Sequence, residues 1–278
     1  MKVLQILLAL AAIAYVAVCA VLYFYQDRLL FFPTVVDAAK LDAIAREEGF
    51  EPWKNLHGDR IGWKSKDGDP RNALLICHGN GGFALGRNYA RLRKPTAAGD
   101  PSFQIFLLEY PGYGARKGKI SAQSFVSAAI DAIDTLNDDP QSRIWLMGQS
   151  LGSGVVCAAA VARPLIISGI VLVTPFDSLS SAASAHYPWL PVRLLLRHQL
   201  DSDRNLATYH GPIAFVVAGS DTTIPPRLGT RLYDGYNGPK RLWLVPGAGH
   251  NDFDELLADW PAISTWLRSA ATLQPTKN

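Results

Sequence analysis

The stretch Ile144-Trp145-Leu146-Met147-Gly148-Gln149-Ser150-Leu151-Gly152-Ser153-Gly154-Val155-Val156 joins an unbroken apolar run to a small-residue run through a serine set between glycines. An apolar run of this length, here residues 143–147, reads as a strand buried on both faces. Residues 153–162 read as a helix whose small side chains allow close packing on a sheet. A strand, a tight turn and a helix in that order are what a nucleophile elbow requires. The two glycines have a steric task, since a Cβ at Gly148 or Gly152 would crowd the neighbouring strand and helix. The helix that starts beside Ser150 also aims its free N–H groups at any negative charge developing there. The five-residue pattern alone arises by chance in a chain rich in glycine and serine. Its flanks give it weight.

Similar apolar runs lie on both sides. Residues 73–77 end in His78-Gly79-Asn80-Gly81-Gly82, and residues 104–109 end in Tyr110-Pro111-Gly112-Tyr113-Gly114. Further strands are expected at 169–173, 213–218 and 241–245. Helices are expected at 37–48, 121–136 (with Ser121 as N-cap), 225–236 and 253–267. Continuous apolar strands alternating with helices predict an α/β domain over residues 58–278, with a mostly parallel sheet covered on both faces. In such sheets, sites form at the carboxyl ends of the strands. Residues 27–57 read as a connector.

A serine hydroxyl is a weak nucleophile until a base takes its proton. His250 is the expected base, because it follows the last strand in the mobile loop Pro246-Gly247-Ala248-Gly249-His250. The acid that orients it is expected just past an intervening strand. Asp221, in the turn Gly219-Ser220-Asp221, meets that condition, and Asp177 is its rival. Asp252 lies too close to His250 in sequence. Two backbone donors are expected to face the developing oxyanion: the N–H of Leu151 and the N–H of Asn80. His78 reads as structural within its loop. His57, His186, His198 and His210 have no supporting context.

Composition limits the alternatives. With 49% hydrophobic and 18% charged residues in 278, the chain can build one large core. A net charge of +3 without any block of like charge argues against nucleic-acid binding. Cys19, Cys77 and Cys157 show no metal or disulfide spacing and read as small buried hydrophobes. No cofactor or metal is expected. Val3 to Gln26 carry no charge, end in Tyr23-Phe24-Tyr25 and are followed by Asp27 and Arg28, expected to stop the segment. Residues 1–26 are long enough to span a bilayer as an uncleaved anchor, and a cleaved signal peptide is the alternative. Either reading places the domain on the exported side of a membrane.

Taken in order, Ser150, Asp221 and His250, with His78-Gly79-Asn80-Gly81 upstream, resemble the α/β-hydrolase superfamily. More narrowly, the chain resembles its membrane-anchored hydrolase-domain members. That resemblance also rests on Gln26-Asp27-Arg28-Leu29-Leu30-Phe31-Phe32-Pro33, Tyr110 to Gly114 and Gly247 to Asp252. It implies a serine hydrolase acting on carboxylic ester, thioester or lipid-acyl bonds, without a cofactor. A peptidase or amidase on the same residues, or a silent membrane scaffold, is the alternative. Residues 178–210 fall where a lid is expected. They are short and apolar, which suits a small-molecule or lipid acyl substrate.

Overall fold

The computed structural model describes residues 1–93, 103–139 and 141–272. Its strands are β1 (Phe50–Lys54), β2 (Arg60–Ser65), β3 (Asp69–Cys77), β4 (Phe103–Leu108), β5 (Arg143–Gln149), β6 (Ile167–Val173), β7 (Ile213–Ala218) and β8 (Lys240–Val245). They form one sheet in the order β1-β2-β4-β3-β5-β6-β7-β8. From β4 to β8 every pairing is parallel, while β2 runs antiparallel to both β1 and β4. The six expected strands are all present. The two antiparallel strands are an addition, and β1 lies inside the stretch read as a connector. Pro52 within β1 cannot donate to a ladder, which restricts such a strand to a sheet edge and conceals it in a pattern reading.

The helices are α1 (Lys2–Leu30), α2 (Ala38–Glu47), α3 (Ala122–Leu136), α4 (Leu151–Ala162), α5 (Leu179–His186), α6 (Val192–Leu195), α7 (Ser202–Leu206), α8 (Pro226–Gly235), α9 (Phe253–Leu256) and α10 (Trp260–Thr272). Asp37 caps α2 by accepting from the amides of Ala39 and Lys40. Ser121 and Ser124 form a reciprocal capping box at the start of α3. The expected closing helix is broken into α9 and α10. Pro261 suits only a first turn, so the helical run restarts just ahead of it.

Side chains alternate along the central strands between two cores. Ala73, Leu75 and Cys77 of β3 face one core with α3 and α4, and Leu74 and Ile76 face the other with α2 and α10. Cys77 and Cys157 are fully buried, and burial pushes each thiol up to about 12. Both are therefore protonated, packed groups at neutral pH.

Helix α1 is 29 residues long and apolar enough to cross a membrane. The helix runs on past Asp27 and Arg28, where the charge-free run ends, as far as Leu30. Arg197 Nη2 donates to Asp27 Oδ1 at 2.8 Å and His198 Nε2 lies 2.5 Å from the same oxygen. Paired in this way, the charge is absorbed and the helix continues to Leu30. The segment between β6 and β7, where a lid is expected, consists of α5, α6 and α7 and lies against this end of α1.

Candidate active site

The chain leaves β3 toward β4 on one side and returns to β5 on the other. A crevice opens where neighbouring strands send their connections in opposite directions, outside the ends of β3 and β5. The loop of His78 to Gly81 leaves β3 there, and Ser150 stands at the tip of β5.

Ser150 adopts φ 52° and ψ −117°, a strained conformation for a residue with a side chain. It is held from both sides. Its amide donates to Val173 O of the adjacent strand at 2.9 Å, and its carbonyl accepts from the amide and hydroxyl of Ser153. The turn that results aims the Ser150 hydroxyl into a cavity of about 300 Å³, which is also lined by Gly79, Asn80, Leu151 and His250.

His250 Nε2 lies 2.9 Å from Ser150 Oγ, and His250 Nδ1 lies 2.7 Å from Asp221 Oδ2. The other carboxylate oxygen of Asp221 accepts from the amides of Thr223 and Ile224 at 2.8 and 2.7 Å. Those two bonds fix the carboxylate, leaving one oxygen for the imidazole. Asp221 is buried and comes from the turn after β7, and His250 comes from the loop after β8. Asp252 steadies that loop, accepting from the Gly249 amide at 2.7 Å. The rival Asp177 is committed elsewhere, to Arg231 at 2.5 Å and to the Ser178 amide at 2.7 Å. A hydroxyl, an imidazole and a buried carboxylate in one hydrogen-bonded line can pass a proton from the first to the second.

Leu151 opens α4, where an N–H has no intrahelical acceptor. Asn80 lines the same cavity, and its side chain has a task that the sequence did not reveal. Asn80 Oδ1 accepts from the Phe32 amide at 3.0 Å and the Tyr113 hydroxyl at 2.9 Å, while Nδ2 donates to Leu30 O at 2.6 Å. Thr34 adds a bond from its hydroxyl to Gly81 O. The strap following α1 is thereby tied to the loop beside Ser150. Burial raises the Tyr110 and Tyr113 phenols well above their usual range, so both remain donors. Tyr110 gives its proton to His78 O. His78 is buried under these rings, with Nδ1 2.8 Å from Gly79 O and Nε2 3.3 Å from Glu109 Oε1. Its ring is thus engaged within the loop and with Glu109.

Asn80→Ala leaves the Tyr113 hydroxyl, the Phe32 amide and the Leu30 carbonyl without their partner. The expected loss is about 1–3 kcal/mol, or a fall of several degrees in Tm measured by calorimetry. An unchanged Tm would show that the strap is not held through this side chain.

Comparison with known proteins agrees with this architecture. A family model described as alpha/beta hydrolase fold matches residues 72–207. The uncharacterized protein Rv2307c of Mycobacterium tuberculosis (strain ATCC 25618 / H37Rv) is 32% identical over 250 residues, covering 87% of each chain. The lysophosphatidylserine lipase ABHD12 of Danio rerio is 23% identical over 66% of this chain and 52% of its own. Among solved structures, the Pyrococcus furiosus esterase Pf2001 superposes with a TM-score of 0.63 at 14% identity, covering 87% of this chain and 98% of that one. In strand order, in the turn at Ser150 and in these likenesses, the chain belongs to the α/β-hydrolase family.

Proposed function

We propose that this protein is a serine hydrolase that cleaves carboxylic ester, thioester or lipid-acyl bonds through an acyl-enzyme. The observation that carries this reading is the line from Ser150 Oγ to His250 Nε2 at 2.9 Å and from His250 Nδ1 to Asp221 at 2.7 Å. Ser150 Oγ attacks the substrate carbonyl while His250 takes its proton. Asp221 holds the imidazole in the tautomer with Nδ1 protonated and stabilises the imidazolium that forms. The N–H groups of Leu151 and Asn80 receive the oxyanion. His250 then protonates the leaving oxygen or sulfur, and water, activated by the same imidazole, releases the acid.

The names borne by the relatives, a lysophosphatidylserine lipase and an esterase, favour an oxygen ester. In this reading α1 anchors the domain, on the exported side of a membrane. The protein is then expected to stay in the membrane pellet through high-salt and carbonate washes. Release by those washes would refute the anchor. A fluorophosphonate probe tests the chemistry directly. The wild type is expected to label and Ser150→Ala to remain unlabelled; equal labelling of both would overturn the assignment.

A further inference from the structure

Beside the cavity that holds Ser150 lies a second one, of about 390 Å³, between α1 and the lid. Its walls include Val18 and Leu22 from α1 and Ala183, Trp189 and Leu195 from the lid. Leu30 and Phe32 line both cavities, so the two adjoin at these side chains. Gln26 also reaches this wall, but its amide is already engaged by the lid backbone, with Leu195 O at 3.0 Å and the Arg197 amide at 2.8 Å. The groove therefore suits hydrocarbon better than a polar group.

Its position says where that hydrocarbon comes from. Tyr15 donates its hydroxyl to Trp189 O at 2.9 Å. Tyr15 precedes Gln26 by eleven residues, or about 16 Å along a helix axis. With the charge-free part of α1 in a bilayer whose hydrocarbon is about 30 Å thick, the tip of the lid lies within the leaflet next to the domain. The lid is dressed for that medium, since Tyr187, Trp189 and Leu194 are exposed. Tyr187 and Trp189 also line the groove, opposite α1.

We propose that this groove is an acyl-chain subsite, filled from the adjacent leaflet by the hydrocarbon tail of a single-chain lipid ester whose carbonyl then lies at Ser150. One groove takes one tail, and Leu30 and Phe32 form the threshold the chain crosses. The substrate class rests on the hydrolase reading above, whereas occupation of the groove can be read without turnover.

The test uses the full chain in phosphatidylcholine vesicles, with palmitic acid carrying a diazirine on its tail as photoprobe. Crosslinks are expected on the peptides containing Leu22, Ala183 and Leu195. Leu22→Trp, which fills the groove, is expected to lower the labelling of the Ala183 peptide by about tenfold or more. Label spread evenly around α1 and unaffected by Leu22→Trp would overturn the subsite. So would chain-to-chain crosslinks through the groove, which would assign it to a second copy. In a second arm, the ratio of kcat/KM for p-nitrophenyl palmitate to that for p-nitrophenyl butyrate is compared between wild type and Leu22→Trp. The ratio is expected to fall by about tenfold for every two methylenes no longer buried. An unchanged ratio would overturn the subsite and leave the Ser150 chemistry standing. If the wild type hydrolyses neither ester and takes no fluorophosphonate, the hydrolase reading fails and the photolabelling still decides the groove. Ala183→Leu, a milder filling, serves if Leu22→Trp fails to reach the membrane.

Discussion

Ser150→Ala is expected to lower kcat on p-nitrophenyl butyrate by about 10⁴–10⁶-fold, and His250→Ala by a similar factor. The double variant is expected to be no slower than either single one, because the hydroxyl and the imidazole act as one unit. Asp221→Asn is the more informative substitution. The two backbone amides of Thr223 and Ile224 already donate to one carboxylate oxygen. In the variant they would keep the amide oxygen of Asn and turn its NH₂ toward His250 Nδ1. That ring nitrogen would then have to accept, leaving the proton on Nε2, where it faces the Ser150 hydroxyl and blocks proton uptake. A loss of about 10⁴-fold follows, with the fold intact. Asp177→Asn is the control, since Asp177 pairs with Arg231 and lies outside the chain of bonds to Ser150. If Asp177→Asn proved the slower of the two, the roles assigned to these acids would be reversed.

These expectations rest on features with different visibility in the sequence. The turn at Ser150 was legible because its causes are local: an apolar strand, two glycines and a small-residue helix within about twenty residues. The parallel strands were legible because a strand buried on both faces has to be apolar throughout. His250 and Asp221 were legible by position, each in the first loop after a strand end, although their separation of 2.7 Å was not. The two antiparallel strands were hidden. β1 contains Glu51, Pro52 and Lys54, and what makes it a strand is its pairing with β2. The extent of α1 was hidden for a related reason. Asp27 and Arg28 end the charge-free run, and the last helical turn beyond them lies where Arg197 and His198, some 170 residues later, are brought against Asp27. Asn80 shows both sides of this. The glycines around it marked a loop that approaches substrate, but the bonds from its side chain run to Leu30 and Phe32, whose proximity only the folded chain creates.

Gly152→Ala carries the second large effect, and it runs against helix propensity. Gly152 lies in the first turn of α4, where alanine favours a helix by about 1 kcal/mol over glycine. Local preference alone would make the variant more stable. An added Cβ, however, lands on the carbonyl oxygen of Cys77 and 2.7 Å from that of His78. Both obstacles are backbone at the end of β3 and cannot rotate away as a side chain would. Either α4 or the loop after β3 has to shift, and overpacking of this kind against backbone costs about 1–3 kcal/mol or more. Because the obstacles are backbone, the steric term is expected at the upper end of that range or beyond, exceeding the propensity gain by about 2 kcal/mol, and Tm is expected to fall by about 4 °C or more. The shift would also move apart the Leu151 and Asn80 amides proposed to receive the oxyanion, so kcat/KM is expected to fall together with Tm. Gly81→Ala isolates the other cost of replacing glycine: its φ of +76° strains an alanine, yet no atom lies within 4 Å of the new Cβ. That variant is expected to lose only about 1 kcal/mol. If Gly152→Ala melted at or above the wild-type temperature, the close approach of α4 to the end of β3 would be refuted, and with it the support that this packing lends to the oxyanion site proposed beside Ser150.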